Sequence, residues 1–191
     1  MNKLATTLGA VSLTLLNLCG AAHAADTKPD PLAPLARLLG DWTGVSSGAP
    51  GDGEVTRKYG YVMNKRYVQE TNISRYPAQP KNKTGEVHEH LGMFSYDKAR
   101  KLLVLRQFHI EGFVNTFRQV MAVEGAESLV FESESFENLS NTWKARETYE
   151  FPSPDEFIET FELAPPGKPF EVYSRSHFKR GVAPPDGKAS P

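Results

Sequence analysis

Leu35-Ala36-Arg37-Leu38-Leu39-Gly40-Asp41-Trp42-Thr43-Gly44 marks the point where a short leucine-rich segment gives way to strand-like sequence. Asp30-Pro31 supplies a helix cap and a first helical position, Leu32, Leu35 and Leu38 fall on one face, and Gly40 is the stop. A short N-terminal helix is the expectation. From Asp41 onward, strand candidates recur at even spacing: roughly 41–47, 54–63, 66–75, 86–96, 101–110, 113–122, 127–135, 142–151, 155–163 and 169–180. Glu111-Gly112 and Glu124-Gly125 place glycine where a tight hairpin needs positive φ, and Asn64-Lys65 and residues 97–100 also suit hairpin turns. The gaps 48–53 and 76–85 are rich in Gly, Pro and Lys and read as rim loops. Ten sequential antiparallel strands predict an all-β, up-and-down barrel, the closed form that leaves no exposed sheet edge.

The sequence before this unit has a different character. Met1-Asn2-Lys3 carries one positive charge, Leu13 to Leu18 is apolar apart from Thr14 and Asn17, and Ala22-His23-Ala24 has small residues at −3 and −1 of a cleavage site. Residues 1–24 therefore read as a secretory signal peptide, too short and poorly flanked for a spanning helix. Cys19 raises a lipoprotein alternative, but Leu18 occupies the position where a lipobox needs a small residue. Cleavage after Ala24 removes the single cysteine, so a disulfide framework is excluded and stability rests on the core. A periplasmic or secreted location is expected. Residues 25–180 form one domain on this reading, and 181–191 a flexible Pro/Gly/Lys tail. Lys plus Arg total 22 against 23 Asp plus Glu, with both signs interspersed. No basic stripe marks a nucleic-acid partner, and no second apolar run marks a membrane span. Nothing in the sequence fixes an oligomeric state.

Alternation assigns the faces of the strands. With a turn at 97–100, Ser95 opposes Leu102, Met93 opposes Val104 and Leu91 opposes Arg106. That face continues through Val87, Phe108, Ile110, Phe113, Phe117 and Met121, and its apolar content makes it the expected interior. The other face carries His88, His90, Gln107, His109, Thr116 and Arg118. Ala145, Tyr149 and Phe151 share a face with Trp143, as Phe157, Phe161 and Leu163 do with one another.

Several polar residues land on the inward register. Arg57 sits beside Val55, Tyr59 and Tyr61, Glu147 between Ala145 and Tyr149, and Glu159 between Phe157 and Phe161. Glu89 and Arg106 join them, as do Asn115, Glu132 and Glu134 if the 123–126 turn has two residues. An unpaired buried charge costs several kcal/mol, so these groups pair with one another or face a hydrated cavity. The functional reading makes Arg57, Tyr59, Glu89, Arg106, Phe108, Asn115, Glu147 and Glu159 a ligand-binding set, with Arg57 or Arg106 holding an anionic group of a partly apolar small molecule. The structural reading is an ion-pair network or residues reaching water at the rims.

Two further chemistries compete. His88 opposite His109, with Glu86 opposite Glu111, gathers two imidazoles and two carboxylates that could bind a divalent metal, on a face read as outward. For catalysis, no Gly-x-Ser-x-Gly, phosphate loop or His-Glu-x-x-His is present. Only Glu89 or Glu147, with a pKa raised by burial, offers a base for an enzyme acting on a small lipid-like substrate.

The opening Leu35–Gly44, the stretch Gly92-Met93-Phe94-Ser95-Tyr96-Asp97 and the run Arg106-Gln107-Phe108-His109-Ile110-Glu111-Gly112-Phe113 resemble lipocalin-like secreted bacterial barrel proteins of unknown function. More distantly they resemble the nitrobindin-type haem barrels. The segment Phe157 to Leu163, and on to Arg180, is similar to the secreted branch. This resemblance implies a ten-stranded calyx with Trp42 closing one end and Gly40 letting the backbone pass close to it. It also implies haem as a cofactor to be tested, with a histidine ligand near the final strand. That position falls nearer Tyr173 here, leaving His177, whose alternation points outward, as the candidate ligand. The nitrobindin-type glycine-rich run with Tyr-Pro is absent after Gly44, so the expected protein needs no cofactor.

Overall fold

The computed structural model describes residues 30–120, 128–140 and 142–181. Ten antiparallel strands run β1 Gly40–Gly48, β2 Gly53–Val62, β3 Tyr67–Tyr76, β4 Glu86–Asp97, β5 Leu102–His109, β6 Val114–Val120, β7 Ser128–Glu137, β8 Lys144–Ser153, β9 Glu156–Ala164 and β10 Glu171–Arg180. Each pairs with its neighbour in sequence, and β1 pairs with β10 to close the barrel. The expected fold class and strand order hold. The signal peptide, Met121, the Glu124-Gly125 turn and the 182–191 tail lie outside the described residues.

The N-terminal helix is corrected to a single 3-10 segment, Ala33–Arg37. Pro34 has no N–H to give the Asp30 carbonyl, so an α-helical ladder cannot start there. The bonds formed instead span three residues: Ala33 N–H to the Asp30 carbonyl, Leu35 to Leu32, and Leu38 to Leu35. Its role in packing survives the change. Leu32, Leu35 and Leu38 are all buried and join Trp42, Tyr59, Phe157 and Phe178 in one apolar cluster at that end of the barrel. The Trp42 ring meets Phe157 edge-on at 4.7 Å between centroids, and its indole N–H donates to the Leu38 carbonyl at 2.6 Å. The Arg180 guanidinium lies 4.2 Å from the Trp42 ring centroid, and Gly181 N–H donates to the Asp41 carbonyl at 2.8 Å. The first strand, the last strand and the 3-10 segment are thus fastened together at one end.

Inward and outward residues alternate along each strand, with breaks at bulges. Between Thr116 and Phe117 the β6–β7 register shifts, which lets Phe131 and Phe136 both turn inward despite opposite parity. Glu132 and Glu134 consequently lie outside, paired with Arg146 and Arg100 at 2.8 Å and 2.6 Å. The β4–β5 hairpin differs from expectation in two ways. Its turn falls at 98–101, where Lys101 takes a left-handed φ of 57° and Asp97 Oδ1 accepts from the Ala99 and Arg100 amides. Asp97 therefore pairs with Leu102, and every later pair moves by two: His90 opposes His109, and Leu91 opposes Phe108.

The second difference is larger, because the expected inside of this hairpin is its outside. Phe94, Leu103 and Leu105 are fully buried, whereas Phe108 is 47% and Ile110 61% exposed. Glu89, Arg106 and Phe108 are therefore corrected to the outer surface. Counting apolar residues failed here because this half of the barrel encloses polar groups rather than oil.

Candidate functional site

Above the apolar plug the barrel carries a layer of buried charge. Arg57 on β2 spans it: its guanidinium makes a two-pronged contact with Glu159 on β9, at 2.6 Å and 3.0 Å. Its Nε reaches Glu70 Oε1 on β3 at 3.1 Å and Asn72 Oδ1 at 3.0 Å. The guanidinium also lies 4.7 Å from the Phe178 ring centroid. Burial works against the charge on Arg57, but Glu159, Tyr59 and Glu70 outweigh it and hold the group firmly protonated. Burial likewise pushes against ionisation of Glu70, yet Arg57 and then His90 win, so Glu70 is held below the usual carboxylate range. Glu70 was not singled out from sequence. The register supplies the missing signal, because Glu70 stands between Tyr59 and Gly92 on the neighbouring strands. A Cβ on Gly92 would clash with Glu70 Oε2, so the glycine is what makes room for the carboxylate.

Glu147 on β8 is the third inward carboxyl, and among the described residues no cation pairs with it. It accepts a hydrogen bond from the Tyr149 hydroxyl at 2.7 Å. Burial first, and then the charges of Glu159 and Glu70, raise its pKa to about 8 from the ordinary 4.5. A folded-state pKa raised this way contributes stability that is fully present below the ordinary value and lost as pH rises through the folded one. Glu147→Gln, which keeps an acceptor for Tyr149, is expected to remove that loss. Urea denaturation at about pH 5 and about pH 9 checks it: the variant should gain on the wild type at the higher pH only. The comparison isolates Glu147, since buried neutral His109 gives the wild type and the variant the same opposite slope.

Beyond this layer lies a cavity of about 510 Å³, lined from the inside by Arg57, Asn72, Glu147 and Glu159 and toward the mouth by Phe136, Trp143, Phe161, Leu163 and Tyr173. One wall is the inverted hairpin, which brings His88, His90, Gln107 and His109 to the cavity with Asn115 of β6 beside them. His88 Nδ1 contacts Glu111 Oε1 at 2.8 Å, and His90 Nε2 contacts Glu70 Oε1 at 3.2 Å. His109 stacks on Phe113 with centroids 4.1 Å apart. Burial, then His90 and His88, hold the His109 pKa down to about 3, so its ring stays neutral.

Of the candidate residues taken from sequence, the structure brings Arg57, Asn115, Glu147 and Glu159 to the cavity, with Tyr59 beneath it, bonded to Arg57 and Glu70 at 3.2 Å and 3.3 Å. It removes Glu89, Arg106 and Phe108 to the outside, where Arg106 contacts Ser95 at 3.4 Å. His177 also lies outside: Ser176 and Phe178 on either side of it are buried, and it pairs across the sheet with Val45 and Ile158. The last strand therefore presents no histidine to the interior, and its residues do not fit haem ligation of the kind the family resemblance implies.

A closed ten-stranded antiparallel barrel with a polar-floored calyx is the class of protein that these elements define. No protein-family model and no curated protein matches the chain. Among solved structures, it is similar to the crystal structure of Rv2717c from M. tuberculosis, with a TM-score of 0.57 and 16% identity over 81% of this chain and 99% of that one. At that identity the likeness bears on the fold alone.

Proposed function

We propose that this barrel is an exported carrier or sensor of a small, partly apolar molecule held in the cavity with its polar end toward the Arg57–Glu159–Glu147 layer. The observation behind it is the cavity itself: about 510 Å³, with buried polar groups inside and aromatic and aliphatic side chains at the mouth. Export rests on the leader-like sequence of residues 1–24.

The charge balance argues for a particular polar end. Arg57 is the one arginine or lysine among the described lining residues, and it is already shared between Glu159 and Glu70. Arg106, the other expected anion clamp, is outside the barrel. Two ionised carboxylates, Glu70 and Glu159, thus stand against one guanidinium at the floor, which favours a ligand that carries positive charge or donates hydrogen bonds, in place of the anion expected from sequence.

Displacement of a neutral fluorescent probe, N-phenyl-1-naphthylamine, from chelator-treated protein tests both parts. A long-chain alkylamine or alcohol is expected to displace it at lower concentration than the matched carboxylate. Ser176 is buried and lines the cavity. Ser176→Leu should fill part of that space and weaken probe binding about tenfold or more while the barrel stays folded. Carboxylates displacing best would overturn the polar-end assignment. No probe uptake, or uptake indifferent to Ser176→Leu, would overturn the cavity reading.

A further inference from the structure

The geometry points to a metal site in the cavity wall: His88, His90 and His109 hold a divalent first-row transition ion of the zinc class. Inversion of the β4–β5 hairpin puts all three imidazoles on one inner surface, His90 directly across from His109, with one ligand atom from each lying within 4.8 Å of the others. His88 Nε2 and His109 Nδ1 are already 3.3 Å apart. Two nitrogens bound to a tetrahedral ion at about 2.0–2.1 Å stand about 3.4 Å from each other, so this pair needs no rearrangement.

The outer nitrogens are engaged as a metal site requires. His88 gives Nδ1 to Glu111 and His90 gives Nε2 to Glu70, which leaves Nε2 of the first and Nδ1 of the second as lone pairs. Carboxylates behind ligating imidazoles fix the tautomer and raise ligand basicity. His90 Nδ1 is also one of the few buried side-chain atoms without a hydrogen-bond partner among the described residues, on a side chain only 7% exposed. A buried lone pair with nothing to accept is costly unless something occupies it.

Asn115 completes the set. Its Nδ2 lies 3.1 Å from His109 Nε2, while its Oδ1 is buried with no partner. Turned over, the amide places that oxygen to accept from Nε2–H, and His109 Nδ1 then faces His88 and His90 as a bare donor atom. One amide rotation thus gives Asn115 Oδ1 a donor and frees the third ligand. Three protein nitrogens leave a fourth position open, and since all three histidines line the cavity, that position meets whatever the cavity holds.

The test is titration of untagged, chelator-treated protein with Zn²⁺ against a chromophoric competitor, repeated with Co²⁺ for its tetrahedral visible bands. One equivalent should bind per chain, with tetrahedral Co²⁺ bands. His88→Ala and His109→Ala should each lower affinity more than about 100-fold, beyond the roughly 10–100-fold expected for the outer-partner change Glu111→Gln. His177→Ala, on the outer face, should bind as the wild type does. His90→Ala leaves Glu70 with one partner fewer, so its fold is checked by circular dichroism. The other variants carry the result if it unfolds. No stoichiometric binding by the wild type, or binding that survives His88→Ala and His109→Ala, would overturn the site. Neither outcome bears on probe uptake, which is measured without metal.

Discussion

Arg57→Met is expected to lower folding stability by about 3–5 kcal/mol at neutral pH, the cost typical of leaving buried charge without its partner. Arg57 is 6% exposed, and both Glu70 and Glu159 depend on it. Methionine fills much of the same volume without clash, so the loss reports electrostatics more than packing. The deficit should shrink in acid, because the stranded carboxyls can then take up protons and become neutral. A triple variant, Arg57→Met with Glu70→Gln and Glu159→Gln, should recover most of the stability at neutral pH, as neutral replacements of buried ion networks often do. Urea denaturation at two pH values checks each step. A loss within about 0.5 kcal/mol, the range of ordinary surface changes, would mean that the layer is hydrated and not a buried network.

Trp42→Ala should be comparably severe, about 3–5 kcal/mol, because it opens a void where four elements meet. The residue is 1% exposed and packs on Phe157, under Arg180 and against the 3-10 segment. Removing the indole also takes the donor from the Leu38 carbonyl. Trp42→Phe restores the ring without that donor and should recover more than half of the loss. Thermal or urea unfolding of the two variants separates packing from the hydrogen bond. If Trp42→Ala cost no more than an average substitution, the plug would not be what holds this end of the barrel.

The architecture was legible because turn chemistry and strand length recur so evenly. Asn64 and Lys65 take the left-handed conformations expected of that turn, and Gly112 has φ of 86° at the hairpin glycine. The site was half legible. Arg57, Glu147 and Glu159 stood out as charges among inward aromatics, and such a pattern survives small errors in boundaries. Glu89, Arg106 and Phe108 were misplaced for a physical reason. Around a cavity the inner face is polar, while the outer face of β4, β5 and the turn after β5 keeps Val87, Leu91, Phe108 and Ile110 in contact with solvent. Apolar content then points the wrong way. Glu70 and Asn72 were missed because β3 has a mixed pattern on both faces, and only the pairing with β2 and β4 reveals them. The N-terminal helix failed on Pro34 alone.

The joining of Trp42, Arg180 and Gly181 at the plugged end has a practical side. The described chain enters and leaves the barrel at that one pole, and the cavity mouth is at the other. A sensor surface or fusion partner joined at Asp30 or Gly181, the ends of the described residues, therefore starts from the pole remote from the mouth. Immobilisation from either of those two points leaves ligand entry measurable on the tethered molecule.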